Sequence, residues 1–313
     1  MRTILLSSLF TLISGALMAQ GTGFEVLGIS PTPYSLSKAE ATVSNTDGAA
    51  SIYSNPALLA YNQTSTIDLG YSFWIAGVNN IFGGVNFKKN RRAVAFSFYS
   101  SGSDDYEQRN NPGSSNGNFS IQYVSLSAAY AYDFEYFALG GAVQYLNENI
   151  FTYRANGYAF NIGGATQFLN ERVRAGASVT NIGEMQKLNV ERTPLPTNLK
   201  IGTSADIAEV SASKNNELPV LISVFADFVH PLEETEDKDF ADYSVSDNYF
   251  NLGLALTVAD ALEISGGYKT QNNARPVSFG ASFTTDEISV NYALIPFNTG
   301  YGTVHSIGVQ YKF

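Results

Sequence analysis

Cysteine is absent from the chain of 313 residues, which has only two histidines and one tryptophan. Without thiolates the chain can form neither a disulfide scaffold nor a cysteine-ligated metal site. The two histidines, His230 and His305, belong to no HExxH-type zinc motif, and the sequence has no phosphate loop and no nucleophile elbow. The sequence therefore predicts that the protein is not an enzyme and carries no cofactor and no catalytic metal.

Charged residues are also few, at 15% of the chain, against about 25% in soluble domains. Lys and Arg number 18 against 28 Asp and Glu, which gives a net charge of −10. Nucleic acid is therefore excluded as a partner, because phosphate binding depends on Lys and Arg. The 21 Phe, 19 Tyr and 27 Gly are typical of a sheet with one face in lipid; a water-soluble β-sandwich is the alternative.

A long apolar run occurs only at the N-terminus, from Ile4 to Ile13, after Arg2 and before the small residues that end at Ala19. This layout predicts a secretory signal peptide over residues 1–20. The run is too short for the roughly 20 residues that a membrane-spanning helix needs. No later stretch is apolar over about 18 residues, so we expect no transmembrane helix after Gly21. Since no cysteine follows the cleavage site, a lipoprotein is excluded.

Hydrophobic and small or polar residues alternate with period two from Ser65 onward, as in Ile307, Val309 and Tyr311 near the C-terminus. This pattern predicts strands with one apolar face. A break in the phase near residues 123–124 predicts a β-bulge there. The fold class is all-β, a transmembrane antiparallel barrel over residues 65–313, with fourteen strands at 65–74, 79–88, 91–100, 118–132, 136–146, 156–168, 171–180, 197–205, 218–229, 247–258, 261–270, 275–284, 286–294 and 303–313.

The links between these strands alternate in length. The longest, 101–117, 181–196 and 231–246, all follow odd-numbered strands, and even-numbered strands end mostly in tight turns, with 206–217 as the exception. Outer-membrane barrels have short periplasmic turns and long external loops. The sequence therefore predicts an outer-membrane protein whose N- and C-termini are both periplasmic.

Residues 21–64 lack sustained alternation, and they are too few for a periplasmic domain. Asp47 is predicted to cap a short helix that begins at Gly48, and Asn55 one that begins at Pro56. The segment is either a strap under the barrel or a hatch in its lumen. Small residues predicted to face the lumen leave room for a hatch: Gly140, Ala142, Gly163, Ala165 and Gly280.

Three further groups of residues are candidate sites. The C-terminal pattern is typical of the signal read by the barrel assembly machinery, and it comprises Ser306, Gly308, Tyr311 and Phe313. An acidic loop contains Glu233, Glu234, Glu236, Asp237 and Asp239. We interpret it as a solvated external loop, a calcium site or a docking surface. An apolar docking patch is predicted at Ile295, Phe297 and Tyr301.

Charged residues on the predicted lumen face are expected to pair with one another or with the hatch, since an isolated buried charge is unfavourable. A selective pore is the functional alternative. Asp68 on the first strand and Lys312 on the last are predicted to form an ion pair where the barrel closes. The remaining lumen charges are Lys88, Arg172, Arg174, Asp227, Glu263 and Lys269.

Four stretches resemble the PorV/PorQ family, which is related to the FadL-type fatty-acid channels: DGAASIYSNPALLA at 47–60, NIG at 181–183, LPTNLKIG at 195–202 and YALIPFNTGYGTVHSIGVQYKF at 292–313. The resemblance implies a FadL-like barrel with an N-terminal lumenal hatch over 21–64, to which Asp47, Asn55, Pro56 and Ala57 would belong. It also implies a role in the type IX secretion system of Bacteroidetes, with the translocon, the attachment complex and secreted cargo as partners.

The resemblance leaves a second function open, a FadL-like channel for hydrophobic small molecules in contact with outer-membrane lipid. Such a channel should have an apolar pocket and a side opening at a kinked strand. A secretion scaffold should instead have apolar patches on its outer loops. A structural porin is a third interpretation, which is disfavoured because a hatch would obstruct free diffusion.

Overall fold

The computed structural model describes residues 24–107, 117–187, 193–211, 219–232, 248–298 and 300–313. The predicted signal peptide and the acidic residues Glu233, Glu234, Glu236, Asp237 and Asp239 lie outside these ranges, so both remain predictions. Within the described ranges, no helix is long and apolar enough to cross a membrane. The helical elements are short: Glu25–Gly28, Pro33–Ser37, Ser51–Ser54, Pro56–Tyr61 and Ile75–Gly77.

Strands make up most of the described chain. In order they are β1 (Thr66–Phe73), β2 (Asn79–Lys89), β3 (Arg92–Glu107), β4 (Asn118–Asp133), β5 (Ala138–Ile150), β6 (Tyr153–Phe168), β7 (Val173–Met185), β8 (Thr193–Pro194), β9 (Asn198–Ser211), β10 (Pro219–Pro231), β11 (Tyr249–Val258), β12 (Leu262–Lys269), β13 (Val277–Thr284), β14 (Ile288–Pro296) and β15 (Thr303–Lys312).

The strands close into a barrel. Each pairs antiparallel with its neighbours, and the first strand pairs with the last, with Leu69 opposite Val309. The two-residue β8 pairs only with the end of β7, and β7 continues the wall by pairing with β9. The predicted fold class, a closed antiparallel barrel of fourteen strands, is confirmed.

The two faces of the wall differ in composition. On β11 the outward Leu252, Leu254 and Leu256 are 41%, 47% and 39% exposed, and Asn251 and Ala255 on the other face are buried. Apolar side chains on the outer face and small or polar ones on the inner face repeat around the barrel, as expected when lipid replaces water outside the wall.

This arrangement predicts a depth-dependent effect of charge on the outer face. Leu254 lies near the middle of β11, and Leu262 is the first residue of β12. We expect Leu254→Arg to lower the free energy of unfolding by about 2–4 kcal/mol and Leu262→Arg by about 0–1 kcal/mol. Denaturant titration of the barrel in lipid vesicles measures both. Equal losses would contradict a membrane around β11.

The bulge lies on a different strand from the one predicted. The pairing of β4 continues without a shift through residues 123–124, and the register shift is on β3, between Ser103 and Tyr106. Opposite it, Ile121 and Phe119 keep a normal two-residue spacing on β4. The prediction was therefore wrong about the strand: β4 keeps its phase, and the extra residue belongs to β3.

The links keep the predicted asymmetry. The longest follow β3, β7 and β10, at the end of the barrel remote from Thr66 and Lys312. We call this end the outer rim and the other end the inner rim. Several strands extend beyond their predicted bounds toward the outer rim, since β3 ends at Glu107 and β7 at Met185.

Candidate functional site

The lumen is occupied by residues 24–65, which we call the N-terminal segment. Its residues from Ala49 to Ala60 are largely buried, with Ala57 and Leu59 fully inaccessible. They pack against inward residues of β2 to β7, among them Phe82, Tyr99 and Leu146. The wall and the segment therefore share one core, and their contact surface is the candidate functional site.

Asn55 lies at the centre of this contact surface and is fully buried. Its side-chain oxygen accepts from the amide of Ala57 at 3.1 Å, which caps the helix Pro56–Tyr61 as the sequence predicts. Its amide nitrogen donates to the carbonyls of Val43 at 2.8 Å and of Gly164, on β6, at 3.0 Å. One side chain thus joins two parts of the segment to the wall.

Asn55→Ala removes the cap and leaves two buried carbonyls without this donor. A lost cap reduces stability by about 1 kcal/mol, and each unsatisfied buried group by about 1–3 kcal/mol. Together these contributions predict a loss of about 3–7 kcal/mol in the free energy of unfolding. Asn149→Ala, which loses only an exposed bond to Arg154, is the control, and similar losses for both variants would count against the role of Asn55.

Glycines on the inner wall allow the segment to approach closely. A methyl group built on Gly140 would lie 2.5 Å from the carbonyl carbon and oxygen of Pro56 and from the nitrogen of Ala57, and one on Gly163 would overlap the Asn55 side chain. The wall residues are therefore glycine because backbone or Asn55 occupies the space of a side chain. The same close approach recurs at Gly84, Gly176, Gly202, Gly267, Gly280 and Gly308.

Asp47 does not cap a helix, which corrects the prediction. The next helix begins only at Ser51, and its N-cap, Ala50, has no side-chain bond. The Asp47 carboxylate instead accepts a hydrogen bond from the Thr32 hydroxyl, and both groups are buried. Burial raises the pKa of Asp47 to about 7, because the charged form loses its hydration.

A charged cluster fixes the other half of the segment to β12. Glu40 pairs with Lys269, at the end of β12, and with Arg275 at 3.2 Å, in the link that follows. Burial acts to raise the pKa of Glu40, but the two cations outweigh it and hold this pKa well below its usual range. Lys38 pairs with Glu263 at 2.6 Å. The segment is thus tied to one side of the barrel by ion pairs and to the other by apolar packing.

Other lumen charges also find partners. Arg174 pairs with Asp206 at 2.6 Å and donates to Asn45 at 3.5 Å. Asp227 accepts from the amide of Val43 at 2.9 Å, and the Lys88 ammonium donates to the carbonyl of Ala60. Pairing with the segment, as the sequence analysis expects, is therefore observed for Lys88, Arg174, Asp227, Glu263 and Lys269.

The predicted ion pair between Asp68 and Lys312 is not formed. Lys312 lies opposite Thr66, and the residue opposite Asp68 is Gln310. The Asp68 carboxylate accepts from the Gln310 amide at 2.7 Å and from the amide of Ala49 at 2.8 Å. The prediction was wrong because it did not fix the register of the closing pair.

Arg172 does not face the lumen. It follows β6 in the turn before β7 and pairs with Glu209 at 3.6 Å, and both side chains are more than half exposed. This exposed pair contributes about 0–1 kcal/mol at most.

The predicted apolar docking patch is not a surface patch. Ile295 is 2% exposed and packs with Leu36 and Val304. Phe297 is partly buried and packs edge-on against Trp74, with ring centroids 6.1 Å apart. Tyr301 alone of the three is exposed, at 65%. The alternation of β14 places Ile295 on its inner face, which the sequence analysis did not consider.

The C-terminal residues lie on the closing strand. On the inner face, the hydroxyl groups of Ser306 and Ser72 form a hydrogen bond of 2.7 Å. A side chain built on Gly308 would contact Pro33. Outward, Tyr311 and Phe313 stack with their ring centroids 6.2 Å apart. Recognition by the assembly machinery stays a prediction.

The barrel wall is irregular where the stretches 181–183 and 195–202 meet. The register of β6 and β7 shifts between Phe160 and Ile162, and β7 stops pairing with β9 after Thr180. Asn181 has a left-handed φ of 62°, and its side chain donates to the carbonyl of Pro196 at 3.1 Å. From Asn181 to the outer rim, the ladder between β7 and β9 is replaced by the hydrogen bond from Asn181 to Pro196 and by the pairing of β7 with the two-residue β8.

A small cavity of about 30 Å³ lies within the N-terminal segment, and Lys200 of β9 is the wall residue in its lining. This volume suits about two water molecules. Hydroxyl and charged groups provide much of its lining, which comprises Leu27, Gly28, Ile29, Ser30, Ser35, Glu40, Thr42, Asp47, Ala50, Tyr53, Ser54 and Lys200.

Several residues of the site were missed by the sequence analysis, chiefly Lys38, Glu40 and Arg275. A signal was available for two of them, because Lys38 and Glu40 are neighbouring charges in a segment with few others. Their partners lie more than 200 positions away, however, and only the closed barrel brings them together.

No protein-family model matches the chain, and no curated protein matches it. Among solved structures, the monoaromatic hydrocarbon channel CymD is 12% identical, with 90% of this chain and 97% of CymD covered at a TM-score of 0.59. The P. putida toluene transporter TodX is 10% identical, with 89% and 97% covered at a TM-score of 0.56. At this identity the likeness concerns the fold alone: the chain shares the closed antiparallel barrel of these two channels.

Proposed function

We propose that the protein is an outer-membrane channel for hydrophobic small molecules. The observation that carries the proposal is the likeness of the whole barrel to channels whose names specify monoaromatic hydrocarbons and toluene. This was the second function in the sequence analysis. The outer-membrane barrel itself agrees with both functions.

The occupied lumen supports a route for hydrophobic rather than hydrophilic solutes. Ala57 and Leu59 close the inner part of the axis. The small cavity in the segment has a mixed polar and apolar lining, so the apolar pocket expected of such a channel is not observed there. A water-soluble solute would have to displace the segment. A hydrophobic solute has a second route, through the wall into the bilayer, and the irregular β7–β9 junction is the place that we assign to it.

The test is uptake of radiolabelled toluene by bacterial cells that lack their own hydrocarbon channel. We expect cells with the barrel in their outer membrane to take up toluene several times faster than cells with an unrelated barrel at equal abundance. Equal uptake would contradict the proposal.

A pair of matched variants tests the route. Ile182 is 41% exposed on β7 beside the irregular junction, and Ile264 is 59% exposed on β12. We expect Ile182→Trp to slow toluene uptake and Ile264→Trp to leave it unchanged, since only the first narrows the junction. Equal effects would place the route elsewhere.

A second candidate function is a type IX secretion role in Bacteroidetes, in which the barrel holds or delivers secreted proteins or attachment-complex partners. Its support is the sequence resemblance, together with the positions of the matching stretches. The stretch 47–60 contains Asn55 and its contacts with the wall, and 181–183 meets 195–202 where Asn181 donates to Pro196. These stretches therefore hold the segment and the junction in place.

Affinity purification of the tagged barrel from its native outer membrane tests this second function. Co-purification of secreted proteins, the translocon or a sortase-like partner, well above an unrelated barrel, would support secretion. A barrel that emerges alone, or with lipid only, would exclude a stable secretion complex.

A further inference from the structure

The first described residues of the N-terminal segment lie at the outer rim of the barrel. Phe24 packs edge-on against Tyr123 of β4, with ring centroids 5.0 Å apart. Five residues later, Ile29 packs against the buried cluster that contains Ile295 and Val304, at the outer ends of β14 and β15. Trp74, which follows β1, packs against the same cluster. Residues Phe24–Ile29, which we call the strap, thus lie along the outer rim between β4 and the strands β1, β15 and β14.

The position of Phe24 along the barrel axis follows from the strand that it contacts. Tyr123 pairs with Glu148, near the outer end of β5. On the lipid face of β5, apolar residues end at Tyr145, and Asn147 and Asn149 follow. A change from apolar to polar residues on the outer face marks the edge of the bilayer. Phe24 therefore lies at or above the outer membrane boundary.

The rest of the segment descends to the opposite end. Ala57 lies against Gly140, near the inner end of β5. The Tyr61 hydroxyl donates to the carbonyl of Ala165, near the inner end of β6, at 3.1 Å. The chain then enters β1 at Thr66 on the inner rim. Its direction through the lumen is from outer rim to inner rim.

We infer that the N-terminal segment threads the barrel from the cell surface inward, and that the strap is a surface element reachable from the cell exterior. The outer rim has the long links, which lie outside the cell in outer-membrane barrels. The sequence analysis placed both chain ends in the periplasm, whereas Phe24 lies at the rim remote from Lys312. This inference does not depend on which molecule the barrel transports.

The strap also forms part of the cavity. Leu27, Gly28 and Ile29 of the strap line it together with Glu40 and Lys200. A solute that arrives from outside along the barrel axis therefore meets the strap before it meets the charged cluster.

Cysteine labelling on intact cells tests the inference, because the chain has no cysteine of its own. Gly28 is exposed, and a side chain built there meets nothing within 4 Å, so Gly28→Cys should fold normally. The probe is a maleimide reagent that does not cross the outer membrane. Tyr301→Cys, on the link between β14 and β15, marks the outer rim, and Lys89→Cys, at the end of β2, marks the inner rim.

We expect Gly28→Cys and Tyr301→Cys to react on intact cells, and Lys89→Cys to react only after the outer membrane is permeabilised. Labelling of Gly28→Cys only after permeabilisation, or only after unfolding, would overturn the inference. Labelling of Lys89→Cys but not Tyr301→Cys on intact cells would overturn it as well, because the barrel would then be inverted.

Discussion

Gly140→Leu is expected to destabilise the folded barrel by about 3 kcal/mol, or to expel the segment from its inner position. The carbonyl of Pro56 and the amide of Ala57 occupy the space of the new side chain. Overpacking in a well-packed core reduces stability by about 1–3 kcal/mol, and backbone on both sides leaves little room to relax. Denaturant titration in lipid vesicles measures the first outcome, and ion conductance across a planar bilayer the second.

The neighbouring glycine provides a matched control. Gly141 faces outward, and a side chain built there meets only the carbonyl oxygen of Asn161, at 3.8 Å. Gly141→Leu adds the same side chain to the same strand on the lipid face, so we expect stability and conductance close to those of the unaltered barrel. If the two variants behaved alike, the close packing of the segment against the wall would be contradicted.

Glu40→Gln is expected to lower the free energy of unfolding by about 3–5 kcal/mol. The change keeps the shape of the side chain but leaves Lys269 and Arg275 without their shared carboxylate. Removal of one partner from a buried ion pair has an effect of this size, because an uncompensated charge remains. Denaturant titration at neutral pH measures it.

An exposed ion pair serves as the control for Glu40. Glu135 pairs with Arg91 at 2.9 Å, and both side chains are at least half exposed. We expect Glu135→Gln to change stability by about 0–1 kcal/mol, since solvent screens the pair. A loss for Glu40→Gln no larger than that of the control would argue against the charged cluster as an anchor.

The pH dependence provides a second readout for Glu40. Its pKa in the folded protein is held below the usual range, so its contribution to stability is complete above about pH 5. That contribution decreases as the pH falls further, because the unfolded chain takes up the proton first. We expect the difference in the free energy of unfolding between the unaltered barrel and Glu40→Gln to shrink as the pH falls below about 5.

Much of the wall could be predicted from the sequence, and the reason is physical. Because lipid lies outside the wall and the packed lumen inside it, apolar residues alternate with small or polar ones along the strands, as in Leu252, Leu254 and Leu256 on β11. A period of two is therefore visible in the sequence without knowledge of the pairing. The cap at Asn55 was equally predictable, because its partner, the amide of Ala57, is only two residues away.

The contacts of the lumen could not be predicted in this way. Lys38 and Glu263 are 225 residues apart and meet only after closure. For Asp68, alternation gave the correct face but not the register, so Lys312 was chosen instead of Gln310 two positions earlier. Ile295 was assigned to the surface from its apolar neighbours, although its place on β14 turns it inward.

The measurement that tests the central claim most directly is solute uptake by proteoliposomes that contain the purified barrel. The claim is that the N-terminal segment closes the lumen axis while hydrophobic molecules pass through the protein. With lipopolysaccharide in the vesicle lipid as a barrier to apolar solutes, we predict uptake of toluene faster than by protein-free vesicles of the same lipid, and no swelling of the same vesicles in a small sugar. Swelling in sugar without faster toluene uptake would contradict the claim, because it would show an open aqueous pore.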